Sequence, residues 1–273
     1  MIWLYRLNEL ANYVWALAPG SRTPLGNREI KLVAHRGVHG PGGSGTVIEN
    51  TLDAFSLCQQ VGAWGIEFDI RLTRDNEPVV NHDPHLGRLF KRPDIVIAET
   101  PFDALRKAVP QVPHLDEVVT RYAGKLHLMI EIKESWRQRP ALPARVAHSL
   151  ASLAPGRDYH LMSLVPDHLE SFSAVPRDAF IDIARTNLRD ILKQNLELGH
   201  GALAGSFALI GPGSLQQLHA AGRRVGTGIV KNRRVLNREV QRGVEWIFTD
   251  AVVPLLDSGV VATNTMQGDD SSK

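Results

Sequence analysis

Cysteine occurs once in the 273 residues, at Cys58. That excludes an internal disulfide framework and a metal site built from cysteines alone. It fits a reducing compartment, so a cytoplasmic location is the expectation. Cys58 lies among apolar residues of a helical pattern, where a small buried hydrophobe is expected rather than a nucleophile. An excess of charge is also lacking. Lys and Arg number 31 against 29 Asp and Glu, a net charge of +2. Nothing in that balance suits a polyanion, and no nucleic-acid partner is expected. Long apolar runs are missing too. The segment Met1 to Leu17 is interrupted by Arg6, Asn8, Glu9 and Asn12, which excludes a membrane span. It also lacks the basic start, long apolar run and cleavage site of a signal peptide. Internal repeats, low-complexity tracts and domain linkers are not visible.

Within that first segment Trp3, Leu7, Leu10, Val14 and Leu17 recur at helical spacing, extended by Leu4, Ala11 and Trp15. A helix packed on the body of the protein is expected. The aromatic residues Trp3, Tyr5, Tyr13 and Trp15 would suit a headgroup boundary, so peripheral membrane contact through this helix is kept as an alternative.

From Lys31 onward, strand-like runs alternate with helical patterns. The runs are 31–36, 65–73, 125–133, 159–165, 179–185, 202–209, 224–230 and 244–250, with an extra short strand at 78–83. Helices are expected over 51–61, 143–153, 167–175, 188–198, 214–221 and 235–242. Such alternation implies parallel strands joined by helical crossovers, and eight strands imply an α/β fold closed as a (β/α)8 TIM barrel. The expected organisation is an N-terminal helix and linker over 1–30, the barrel over 31–262 and a flexible tail over 263–273. A small insertion at about 84–113, after His82-Asp83, carries its own helix near 102–108 and shapes one wall of a cleft. Little follows the last strand, so the N-terminal helix is expected over the barrel seam or floor.

Chemistry concentrates at strand ends, where such barrels place it. Between Gly65 and Thr73, Ile66, Phe68, Ile70 and Leu72 share one face and Glu67, Asp69 and Arg71 the other. Facing solvent, the two carboxylates would be ordinary surface charges. Facing a barrel interior, they need a cation or a basic partner. The first strand ends in His35-Arg36-Gly37, the extra strand in His82-Asp83, the third in Glu131-Ile132-Lys133 and the last in Thr249-Asp250. Two histidines and several carboxylates, with an arginine and a lysine, thus converge on one rim and suit an anionic substrate. Asp250 is read as stabilising its turn. Asp83 either anchors its loop or orients His82. Asn50 or Thr51 is expected to cap the helix that follows. His39, His85, His114 and His127 are read as surface or core residues, and Trp246 as lining the pocket or packing outside.

The ordered series His35-Arg36-Gly37, Glu49-Asn50-Thr51, Gly62-Ala63, Ile66-Glu67-Phe68-Asp69, Thr73-Arg74-Asp75, Val79-Val80-Asn81-His82-Asp83, Glu131-Ile132-Lys133 and Gly243 with Ile247-Phe248-Thr249-Asp250 resembles the glycerophosphodiester phosphodiesterase family over about 31–254. The resemblance implies a TIM barrel with a small insertion after the His-Asp motif. It also implies Glu67, Asp69 and Glu131 as ligands of a divalent cation, Ca2+ or Mg2+, and His35 and His82 as the acid/base pair. Arg36 and Lys133 would bind the phosphodiester oxygens. Glu49 joins them as a hydrogen-bond acceptor for Arg36 or His35. The implied reaction cleaves a small-molecule glycerophosphodiester to glycerol phosphate and an alcohol. Two alternatives remain: a lysophospholipase D working on lysophospholipids at a membrane surface, and a barrel that binds phosphodiesters without turnover. The sequence departs from the family in a glycine-rich loop over 38–47, expected to be a flexible lid. Ile48 stands where proline is usual, and glycines replace an aromatic in 226–230.

Overall fold

The computed structural model describes residues 2–23, 25, 30–40 and 47–257, with side chains from Arg6 onward. Most of the glycine-rich loop, residues 41–46, and the tail beyond 257 lie outside the described residues. The eight barrel strands are, in chain order, Lys31–His35, Gly65–Leu72, His127–Ile132, Tyr159–Ser163, Phe180–Ala184, Ala202–Ser206, Arg224–Gly228 and Trp246–Thr249. Each pairs in parallel with its neighbours in sequence, and the first pairs with both the eighth and the second, so the sheet closes on itself. This is the (β/α)8 barrel expected from the alternation.

The strand pattern follows from burial on both faces. Ile66, Phe68, Ile70, Leu128, Ile130 and Ile132 point out to the helices and are essentially buried. Inward positions form a second, separate cluster that includes Val33, Met129, Met162, Ile181, Trp246 and Phe248. The inward positions toward the strands' C-terminal ends, His35, Glu67, Asp69 and Glu131, belong to neither cluster, and that is where the polar residues of the rim stand.

The helix Leu52–Val61 shows how local chemistry sets boundaries. Thr51 is its N-cap, accepting from the Ala54 amide, and Gly62 ends it in the left-handed region at φ 76°. Two expectations about helices need correction. The stretch 167–175 forms only a 3-10 turn at Pro166–His168. No side-chain cap bonds its start, and the chain turns on through 169–175 to the next 3-10 turn at Arg177–Ala179. Conversely, a helix not read from the sequence forms at Leu115–Tyr122. It is capped by His114 and Glu117 in a reciprocal box and buries Leu115, Val118, Val119 and Tyr122.

Pro78–Val80 runs antiparallel to the second strand, with Ile70 opposite Val80. The insertion follows, with a small two-stranded sheet, His85–Leu86 against Arg92–Val96, and the helix Phe102–Ala108. It has its own core of Val79, Leu86, Ile97, Leu105 and Val112.

The N-terminal helix Ile2–Trp15 does not cover the floor. Asn8 and Asn12 donate to the Ile229 carbonyl at 3.1 and 3.0 Å, and Asn12 Oδ1 accepts from the Lys231 amide at 2.8 Å. Those partners follow the seventh strand, so the helix sits on the rim at the strands' C-terminal ends. Its asparagines satisfy an irregular loop backbone there, which an apolar face could not do. Among the described residues no helix is long and apolar enough to cross a membrane.

Candidate active site

Strand register assembles the rim. His35 lies level with Glu67, and Asp69 level with Glu131, on adjacent parallel strands. All four point inward by the alternation of the strands. Glu67, Asp69 and Glu131 are buried, and each offers an oxygen within 4.8 Å of the others.

Arg36 follows directly with φ 59°, turning the chain over the rim. Its amide donates to the Glu67 carboxylate at 3.1 Å, and its Nη1 donates to Glu49 at 2.8 Å. Its Nε stands 3.4 Å from Asp69 Oδ2. Gly37 permits this turn: a Cβ there would lie 2.8 Å from the Ala54 side chain, and its φ is 80°. Lys133 Nζ donates to Glu131 at 2.7 Å and lies 3.1 Å from Asp69 Oδ1. Asn50 Nδ2 donates to Asp69 Oδ2 at 2.8 Å, so Asn50 holds a carboxylate while Thr51 alone caps the helix.

Each rim histidine leans on a carboxylate. His35 Nδ1 is 2.7 Å from Asp250, and His82 Nδ1 is 2.7 Å from Asp83. Asp250 therefore orients a site histidine, which corrects the reading of it as a turn residue. Asp83 orients His82, whose own carbonyl accepts from Arg71 Nε at 2.9 Å. Arg88, from the insertion, ties the two halves together. It donates to Asp83 at 2.6 Å and to Glu49 at 2.7 Å.

The electrostatics follow from crowding. Burial and then the neighbouring Asp69 charge push Glu67 up to about 8. Burial opposes ionisation of Asp69 as well, but Lys133 and Arg36 hold it low. Burial disfavours the charged form of His35, yet the hydrogen bond to Asp250 and the charge of Glu67 carry it up to about 9. Burial, with help from Arg36 and Lys133, keeps His82 below its ordinary value.

Three buried carboxylates thus lie together against two cationic side chains, Arg36 and Lys133. An all-oxygen donor set short of positive charge fits a hard divalent cation. The sequence-predicted residues His35, Arg36, Glu49, Glu67, Asp69, His82, Glu131 and Lys133 all come together here. Sequence reasoning missed Arg88, which reaches in from the insertion with no local signal, and undervalued Asn50 and Asp250.

The class is now defined: a (β/α)8 barrel with a buried acidic cluster that could hold a metal ion, set between two carboxylate-anchored histidines. Residues 35–253 match the model of the glycerophosphoryl diester phosphodiesterase family, and the chain belongs to that family. A glycerophosphodiester phosphodiesterase of Bacillus altitudinis is 29% identical over 133 residues, 44% of this chain and 52% of that protein. A mouse lysophospholipase D is 46% identical over 59 residues, 22% of this chain and 16% of that protein. The chain thus spans about half the length, or less, of these curated relatives. Among solved structures, an Oleispira antarctica phosphodiesterase in complex with the product sn-glycerol-3-phosphate aligns with a TM-score of 0.68 at 22% identity, over 84% of this chain and 96% of that one. A Thermotoga maritima glycerophosphodiester phosphodiesterase aligns with a TM-score of 0.67 at 21% identity, over 85% and 99%.

Proposed function

We propose that this protein is a glycerophosphodiester phosphodiesterase that uses a divalent cation, Ca2+ or Mg2+, to cleave a small phosphodiester into glycerol phosphate and an alcohol. The observation that carries this is the trio Glu67, Asp69 and Glu131, with oxygens within 4.8 Å of one another, flanked by two histidines that each hold a carboxylate. Glu67, Asp69 and Glu131 would hold the cation, which supplies Lewis-acid stabilisation of charge on the phosphoryl oxygens.

The remaining roles fall to the chain's own groups. A phosphodiester carries one negative charge and gains more on attack. Arg36 and Lys133 stand on either side of Asp69 and are placed to neutralise that charge. Glu49 fixes the Arg36 guanidinium from the far side. His35 and His82 share the proton work: one takes the proton of the attacking hydroxyl, the other returns one to the leaving alkoxide. Asp250 and Asp83 accept from Nδ1 and leave Nε2 of each ring facing the substrate. We place this activity in the cytoplasm, which the lone buried thiol Cys58 suits.

A second reading has its own support. The N-terminal helix leaves Leu7, Leu10, Val14 and Leu17 exposed beside the rim. A lysophospholipid offered from a lipid surface would then be the substrate. Hydrolysis of glycerophosphocholine and of lysophosphatidylcholine, before and after EDTA and with Ca2+ or Mg2+ restored, separates the two. Turnover that vanishes with EDTA and in Glu67→Ala supports the proposal. Turnover that survives EDTA, or its absence on both substrates under every metal condition, overturns it in favour of a binding barrel or another chemistry.

A further inference from the structure

Exposed apolar surface on this protein is gathered at one end. Among the described residues, the exposed large hydrophobics are Leu7, Leu10, Tyr13, Val14 and Leu17 on or just past the N-terminal helix, with Val165 and Leu209. Val165 follows the fourth barrel strand and Leu209 the sixth. The helix is bonded to the loop after the seventh. In a parallel barrel the loops after these strands lie at the C-terminal face, the face on which the carboxylate cluster opens. The helix meets that face through Asn8 and Asn12 before the chain runs down beside the helix Arg233–Gln241, where Arg238 lies over the Trp15 ring and Asn237 donates to the Ser21 carbonyl at 3.3 Å. Scattered single hydrophobics would need no explanation; a set gathered at the mouth and the flank beside it does.

The helix is built to present that surface. Its polar face is used up: Asn8 and Asn12 bind the Ile229 carbonyl, and Glu9 pairs with Lys231. Ala11 and Trp15 pack onto the core. What remains outward is a stripe at i, i+3, i+7 and i+10 whose members are between 46% and 63% exposed. Glu9 is the helix's one acid. Exposed bases flank the stripe in the chain, Arg6 before it and Arg22 beyond it, and two more stand after rim strands, Arg185 after the fifth and Arg234 after the seventh.

We propose that this rim and the N-terminal helix beside it form a docking surface for an anionic phospholipid bilayer, with the apolar stripe dipping into the headgroups and the catalytic mouth turned toward the lipid. The apolar stripe enters the acyl boundary while the arginines meet lipid phosphates. Charge decides between occupants. A second copy of this chain would bring its own arginines against these, whereas an anionic leaflet complements them. A helix too short and too interrupted to span can lie in the interface without strain on its polar anchors.

Cosedimentation of the full chain with phosphatidylglycerol–phosphatidylcholine vesicles, and with phosphatidylcholine alone, tests this without using turnover. The result therefore stands apart from the proposed reaction. Wild type is expected to pellet with anionic vesicles and less with zwitterionic ones. The pair Leu10→Glu and Leu17→Glu lowers the partition by about tenfold or more. The pair Arg6→Glu and Arg234→Glu lowers it too and flattens its salt dependence. Circular dichroism and hydrolysis of soluble glycerophosphocholine remain as in wild type. Wild type left in the supernatant, or the leucine pair pelleting like wild type, overturns the proposal. So does a wild-type dimer in gel filtration that the leucine pair turns into a monomer, which would assign the face to a second copy.

Discussion

The barrel holds a histidine pair at each end, and the two pairs live by opposite rules. At the rim, His35 and His82 each lean on a carboxylate, Asp250 and Asp83, and are only partly covered. At the floor, His127 and His160 meet each other, Nε2 to Nδ1 at 2.7 Å, His127 also bonds the Arg157 backbone, and both are buried with no carboxylate among the described residues bonded to them. Trp64 stacks on His127 at 4.4 Å, and Trp246 meets His160 edge-on. Lys31 and Arg224 close the end over those two tryptophans. Burial and the nearby cations keep both floor rings neutral, His127 down to about 3 and His160 to about 2. On the proposed reaction, the same side chain therefore carries protons where a carboxylate orients it and packs where none does. Partner, not residue type, sets the role.

Breaking the comparison at the rim has the largest effect. His82→Ala should lower kcat by roughly 10²–10⁴ with little change in thermal unfolding, because a partly exposed ring is lost from a site and not from the core. Steady-state kinetics beside calorimetry checks both halves. Next comes the orienting carboxylate. Asp83→Asn should cost about 10–100-fold in kcat, since His82 loses its anchor and Arg88 one of its two acceptors.

The floor answers to pH. Its histidines take up protons near pH 6.5 when unfolded but not when folded, so the unfolded state binds more protons on acidification. Their contribution is intact above pH 6.5 and is lost as pH falls toward 3. The loss approaches about 1.4 kcal/mol per histidine for each pH unit once pH is well below 6.5, read from denaturant melts at pH 5.5 and 4.5. The smallest effect comes from replacing the whole floor pair. His127→Leu with His160→Leu removes both hydrogen-bonding partners together. It should change stability near pH 7 by only about 1 kcal/mol and abolish that acid sensitivity, while turnover stays. If the double variant lost turnover, the two ends would not be separable.

Much of this was legible in the chain. The alternation from Gly65 to Leu72 announces a strand with one apolar face, and the strand ends carry most of the site. Failures have physical causes. The pattern over 167–175 suggested a helix, but Leu169 and Phe172 reach the core from turns, so burial alone did not fix the backbone there. Leu115, Val118, Val119 and Tyr122 carried a helical signal that the preceding prolines disguised. Arg88 could not be found, because its partner Glu49 is 39 residues away and nothing in sequence fixes how an insertion folds back. The floor pair was hidden for a similar reason. Alternation points His127 and His160 inward, but only the register, which sets Met129 against His160, brings the rings together.

The antiparallel strand Pro78–Val80 has a consequence for how the site can change. Most of the rim is mounted on the barrel's own staves, where a shift of one residue would turn every side chain around. His82 is mounted on a bracket outside the closed sheet, with Asp83 and Arg88 beside it. Lengthening or reshaping that bracket can move one proton carrier relative to the other while the carboxylate cluster stays where it is. The barrel thus keeps one half of its chemistry fixed and leaves the other half adjustable over evolutionary time.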